Sequence, residues 1–234
     1  MTYCLAMRLD EGLLFLSDTR TNAGVDNVST YRKLHVFRPS DDRLFVLQSA
    51  GNLATTQEVL DRIERDLLGA DVSLATVEHL FEAALYVGAL SRDVAARHAA
   101  ALGSNATATF ILGGQVGAEA ADILLVYPEG NYIRASEDRP FLQIGEAKYG
   151  KMWLDLAVRA HADLRTAAKI ALSSMVATAM ANLSVGPPYD LGVKATGSFD
   201  LQHVRIDADS PYLTKLSQVW SEHLLAAVAA LPEP

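Results

Sequence analysis

Thr2-Tyr3-Cys4-Leu5-Ala6-Met7-Arg8-Leu9-Asp10-Glu11-Gly12-Leu13-Leu14-Phe15-Leu16-Ser17-Asp18 reads as a β-hairpin. Tyr3, Leu5, Met7 and Leu9 recur with period two, which puts one apolar face on the first strand. Asp10-Glu11-Gly12 supplies the turn, where Gly12 can take the positive φ that a tight loop often needs. Residues 13–16 then form a short apolar strand ending at Ser17-Asp18. Closing the hairpin brings Asp18 back beside the start of the chain.

Working outward, residues 33–37 and 43–48 predict two further strands. After Ser49-Ala50-Gly51 the period changes. Leu53, Val59, Leu60, Ile63 and Leu67 predict a helix over 52–68, with Glu58, Asp61, Glu64 and Arg65 towards water. A second helical stretch covers 74–102, with a break expected near Gly88. Strands are expected at 107–113, 123–127 and 132–135, helices at 148–159 and 165–182, and strands at 190–196 and 200–206. A last helix carries Leu213, Leu216, Trp220, Leu224, Ala227 and Val228 on one stripe, and a Pro-containing tail ends it. Strands and helices grouped in blocks exclude a strictly alternating doubly wound fold. Two sheets packed face to face with helices outside would bury these stripes, and residues 1–234 read as one domain.

Half of the 234 residues are hydrophobic, enough for a large core. The chain carries 28 Asp and Glu against 20 Lys and Arg, a formal net charge of −8, with no basic cluster. That argues against nucleic acid or an anionic membrane as the main partner. The lone cysteine, Cys4, has no internal disulfide partner and fits a reducing cytosol. The N-terminus lacks the basic start and unbroken apolar stretch of a secretory signal, and no window approaches the ~20 apolar residues that cross a bilayer. A soluble, cytoplasmic protein is expected. Its six histidines are scattered, without metal-site spacing.

A threonine hydroxyl is a poor nucleophile until a base takes its proton, and a free α-amine on the same residue can serve. Thr2 gains that amine if Met1 is removed. Its unperturbed pKa, roughly 7.7–8.0, lies close to working pH. Asp18 is folded back beside it, and a lysine such as Lys33 paired with that aspartate would tune the amine or hydroxyl. Gly51, at a strand-to-helix junction, admits close backbone approach and N–H donation to an oxyanion. Cys4 has no nearby histidine in sequence and reads as a packed small hydrophobe.

Thr2, Ser17-Asp18-Thr19-Arg20, Lys33 and Ser49-Ala50-Gly51 fall in the order and near the spacing of proteasome β subunits. More narrowly, the chain resembles the bacterial proteasome-like family called Anbu, the ancestral β subunit. The stretches Ser17-Asp18-Thr19-Arg20-Thr21-Asn22-Ala23-Gly24, Ile144-Gly145-Glu146-Ala147-Lys148-Tyr149-Gly150-Lys151 and Asn182-Leu183-Ser184-Val185-Gly186 carry the resemblance.

The resemblance implies an α/β (α+β) fold, a four-layer αββα sandwich of the N-terminal-nucleophile hydrolase type. It implies a self-assembling threonine peptidase acting on peptide or protein substrate, without a cofactor or metal. Thr2 would be nucleophile and base, Lys33 the tuning ammonium, Asp18 its partner and Gly51 the oxyanion donor. Thr21, Asn22, Ser49 and Leu53 would bind substrate. Two positions depart from the proteasome pattern. Glu146 stands where a serine orients the terminal amine, and the aspartate three residues before Ser184 falls on Ala181, or on Asn182 in a shifted register. Weaker activity, an assembly protein that keeps the fold, and a small-molecule amidase are the alternatives.

Overall fold

The computed structural model describes residues 2–22 and 28–233. In chain order the strands are β1 (Tyr3–Leu9), β2 (Gly12–Asp18), β3 (Arg20–Asn22), β4 (Val28–Thr30), β5 (Leu34–Ser40) and β6 (Arg43–Gly51). Two helices follow, α1 (Leu53–Asp66) and α2 (Leu80–Leu102). Then come β7 (Ala108–Val116), β8 (Asp122–Val126), β9 (Tyr132–Arg134) and β10 (Phe141–Gly145). The chain continues through α3 (Ala147–Ala157), α4 (Leu164–Ala181), β11 (Tyr189–Ala195), β12 (Gln202–Ile206) and α5 (Pro211–Ala229).

β1 and β2 form the expected antiparallel hairpin, with Cys4 opposite Ser17 and Leu9 opposite Gly12. Gly12 has a φ of +144°, and a side chain there would run into the Lys194 carbonyl. The hairpin is the centre of one antiparallel sheet, ordered β10-β1-β2-β11-β12. A second sheet runs β5-β6-β7-β8-β9, and β3 pairs with β4 alone.

The period-two pattern decides what each strand face buries. Tyr3, Leu5, Met7, Leu14 and Leu16 pack with Leu154, Ala171, Met175 and Leu213 from α3, α4 and α5. Cys4, Ala6 and Phe15, pointing the other way, pack against Val46, Ile111 and Ile123 of the second sheet. That sheet turns Phe45, Leu47, Phe110 and Leu112 towards Val59, Ile63, Ala83, Ala84 and Val87 of α1 and α2.

Four local expectations change. β10, β3 and β4 had no counterpart in the sequence reading, and β10 matters most because it flanks β1. Ser49-Ala50-Gly51 belongs to β6, whose pairing with β7 continues to Gly51 opposite Ala108. α2 starts at Leu80 and not at residue 74. Before it, the Thr76 hydroxyl donates to the Asp71 carbonyl and accepts the Ser73 N–H, closing a local turn that competes with helix. The helix then runs unbroken through Gly88, which sits on the Gly130 backbone so closely that a Cβ would lie 2.3 Å from its carbonyl oxygen.

The stripe on α5 is real but mostly uncovered: only Leu213 is buried, while Leu224 and Val228 are 49% and 58% exposed. Trp153 and Trp220 pack edge-on against each other. Among the described residues no helix is long and apolar enough to cross a membrane.

Candidate active site

Thr2 enters β1 between two strand ends. On one side Tyr3 lies opposite Gly145 of β10, and the Glu146 N–H donates to the Thr2 carbonyl at 2.7 Å. Gly145 has a φ of +82°, and a Cβ there would come 1.9 Å from that same oxygen, so only glycine admits the approach. On the other side β2 ends in Asp18, as the hairpin predicted.

Asp18 is fully buried and its carboxylate is shared among three donors. Oδ1 accepts the Tyr3 N–H at 3.0 Å and the Lys33 Nζ at 2.7 Å. Oδ2 accepts the Gly186 N–H at 3.3 Å. Lys33, 5% exposed, also donates to the Arg20 carbonyl at 2.7 Å. Burial pushes the Asp18 carboxyl above its ordinary value; the Lys33 charge and hydrogen bond and the two N–H donors oppose this without cancelling it. The pair is held in place at an electrostatic cost.

Lys33 precedes β5, and its carbonyl accepts the Ser49 N–H at 3.2 Å, which ties it to the end of β6. Gly51 closes β6 with a φ of +116°. Asn52 then caps α1, its side chain accepting the Thr55 N–H at 3.0 Å, so the helix starts at Leu53. Thr2, Thr21, Lys33, Ser49, Gly51 and Leu53 line one cavity of about 540 Å³. Six residues proposed from sequence, drawn from four separate stretches, therefore share one wall. Asn22 ends β3, and its side chain lies outside the described residues.

Glu146 and Ser184 are not among the cavity lining. Glu146 immediately precedes α3, and its carboxylate accepts the Asn182 Nδ2 at 2.8 Å. The Asn182 side-chain oxygen in turn accepts the Ser184 N–H at 3.0 Å. Asn182 thus joins Glu146 to Ser184. The Cys4 thiol is buried and pushed well above its ordinary pKa by desolvation and by Asp18, so it is no thiolate.

Sequence reasoning missed Arg20, Gly186, Arg32 and Thr56. The Arg20 guanidinium donates to the Leu183 carbonyl at 2.8 Å and lies against Gly186, where any Cβ would strike it. Arg32 and Thr56 line the cavity. Arg32 adjoins Lys33 in sequence, which was the available signal; Arg20 and Gly186 lay inside the stretches that carry the family resemblance, without a role assigned to either.

A carboxyl whose folded pKa is raised contributes stability below its unfolded pKa and loses it as pH rises through the folded value. At neutral pH ionised Asp18 therefore costs stability. The double variant Asp18→Asn/Lys33→Met is expected to match or exceed the parent at pH 7, by up to about 4 kcal/mol. The gap should shrink as pH falls towards the ordinary carboxylate range. Asp18→Ala alone leaves the Lys33 ammonium buried and is expected to lose about 3–5 kcal/mol. Urea unfolding across pH measures both, and a double variant less stable than the single one would contradict this balance.

Compared with known proteins, the chain matches no family model and no curated protein. Among solved structures it is similar to Anbu (ancestral β subunit) from Yersinia bercovieri, at 42% identity over 100% of this chain and 99% of that one, with a TM-score of 0.93. It is similar to an Anbu (Gly-1) mutant from Hyphomicrobium sp. strain MC1 at 42% identity, with 100% and 99% coverage and a TM-score of 0.93. It is also similar to the chain in the helical assembly of the Anbu complex from Pseudomonas aeruginosa, at 38% identity, 100% and 98% coverage and a TM-score of 0.94. Full-length identity of this order, on a fold that superposes throughout, makes the chain a member of the Anbu family, relatives of the proteasome β subunits.

Proposed function

We propose that, once Met1 is removed, the protein is a threonine-type N-terminal-nucleophile hydrolase that cleaves peptide or amide bonds through Thr2. One observation carries this reading: the buried Asp18–Lys33 pair is bonded to the Tyr3 N–H, one residue from a threonine that lines a substrate-sized cavity. A costly ion pair at that point makes sense as machinery rather than as a stabiliser.

In the reaction, Thr2 Oγ attacks the carbonyl carbon while its α-amine takes the hydroxyl proton. Lys33 Nζ favours the alkoxide, and Asp18 keeps that ammonium charged and aimed. The Gly51 N–H donates to the oxyanion. The amine returns the proton to the leaving group, and water, deprotonated by the same amine, hydrolyses the Thr2 ester. Thr21, Asn22, Ser49 and Leu53 bind substrate beside this centre.

Probe labelling tests the assignment. An epoxyketone-type or β-lactone probe should add its mass to Thr2 of the processed chain. Thr2→Ala and Lys33→Ala should each abolish labelling with the far-ultraviolet dichroism retained, since the carboxyl left by Lys33→Ala can protonate. Full labelling of either variant would sink the mechanism. Retained Met1 should silence the protein, because an amide nitrogen is not a base.

The three buried clusters support a four-layer αββα order within a single domain spanning 1–234. A single cysteine fits the cytoplasm. Homo-oligomeric assembly, as a ring or spiral, is supported by the relative solved as a helical assembly and by the uncovered apolar residues of α5. On α2, Ala83 and Ala84 face the chain's own core while Ala89, Ala96, Ala99 and Ala100 are exposed. Sedimentation at micromolar concentration should show species far above the 25.2 kDa monomer, and a monomer alone would refute assembly.

A second reading, an assembly protein with little catalysis, is favoured by the Glu146–Asn182 bond at the place of the proteasome's amine-orienting groups. The small-molecule amidase alternative draws less support, since such relatives often use N-terminal Cys or Ser.

Glu146 also sets a pH expectation. Its backbone N–H bonds the Thr2 carbonyl, which supports a carboxylate that acts on the terminal ammonium of the processed chain. An opposite charge nearby raises the amine pKa above roughly 8 and leaves less free base at pH 7. Labelling should therefore rise into mild alkali, and Glu146→Ser should move the rising limb to lower pH. Superimposable profiles would show that the carboxylate, bonded to Asn182, leaves the amine untouched.

A further inference from the structure

Among the described residues, two charged side chains line the cavity beside Thr2, Lys33 and Arg32, and both are cationic. They are not equivalent. Lys33 is neutralised by buried Asp18 and bonded to the Arg20 carbonyl. Arg32 is exposed, no carboxylate is among the lining residues, and no acidic side chain pairs with Arg32 among the described residues.

His35 is a titratable neighbour: its Nε2 lies 3.2 Å from the Arg32 carbonyl. Burial holds its pKa below the ordinary value, and the Arg32 charge adds to that, so at neutral pH it supplies no competing cation. The cavity is thus lined by one arginine beside a wall of mixed character. Leu53 and Ala50 offer apolar surface, and Thr21 and Ser49 carry hydroxyls.

We infer that this pocket selects substrates with an acidic side chain on the residue whose carbonyl is attacked. The inference rests on the reading of Thr2 as nucleophile. A glutamate or aspartate side chain would lay its methylene stem along Leu53 and Ala50 and meet Arg32 with both carboxylate oxygens, the geometry a guanidinium favours. A lysine or arginine there would face Arg32 and be repelled. A large apolar side chain would desolvate Arg32 without replacing its hydrogen bonds. Charge-assisted hydrogen bonds at a half-open site correspond to about a tenfold preference.

The test uses the full processed chain and three peptide epoxyketones identical except for glutamate, leucine or arginine next to the reactive group. Intact-mass kinetics should show the glutamate probe labelling Thr2 about tenfold faster than the leucine probe, with the arginine probe slowest. The ratio of rates is the readout, so the amount of folded protein cancels. Arg32→Ala should bring the glutamate-to-leucine ratio close to one, and Arg32→Glu should put arginine ahead of glutamate. A leucine or arginine probe fastest on the parent would overturn the pocket assignment and leave the hydrolase standing. If no probe labels Thr2, the hydrolase reading falls, and calorimetry with acetylated tetrapeptides ending in the same three residues still decides the pocket. Tighter binding of the glutamate peptide, lost in Arg32→Ala, supports it. Equal or undetectable affinities overturn it.

Discussion

Everything at the site hangs on burying the Asp18 carboxylate. Its two oxygens gather the Tyr3 N–H, the Lys33 ammonium and the Gly186 N–H, which come from three distant parts of the chain. An ionised carboxylate withdrawn from water demands such partners, because each unfilled lone pair in a low-dielectric interior is costly. The demand works as a constraint on geometry: β1, the approach to β5 and the turn before β11 must all converge on one atom group. Lys33 inherits its position from this convergence, and Thr2 inherits its own from Tyr3.

The central place of β1 in its sheet completes the arrangement. A strand paired on both sides and buried on both faces cannot slip by one residue without exchanging the side chains that fit the helices for those that fit the second sheet, so Thr2 is held at one point. Gly145 lets β10 approach the Thr2 carbonyl, and Gly51 lets β6 turn into α1 beside the cavity. Paired strands on each side are what the proposed nucleophile would need for pre-organisation.

The Glu146–Asn182–Ser184 chain shows how a relative of the proteasome can fill an equivalent place with different chemistry. An uncharged amide joins a carboxylate to a backbone N–H, where the proteasome pattern has a serine and an aspartate. The carboxylate keeps a hydrogen-bond partner, so the substitution is structurally satisfied. A carboxylate in place of a neutral hydroxyl distinguishes this position from the proteasome pattern.

The opening hairpin, with Asp18 folded back towards Thr2, was determined by the sequence itself. Alternation of apolar residues and the Asp10-Glu11-Gly12 turn act within a few residues and leave little choice. Most helices were legible for the same reason, since a repeat near 3.6 residues is a local property. Residues 73–79 misled because side-chain hydroxyls there outcompete helix, and β10 had no counterpart in the sequence reading. Only the tertiary structure decided that β10 flanks Thr2, that Gly186 donates to Asp18 across 168 positions, and that Asn182 reaches Glu146 across 36. It alone placed Arg32 in the cavity wall. Such contacts are set by how two sheets and their helices stack, and stacking depends on the sum of many buried faces rather than on any one stretch of chain.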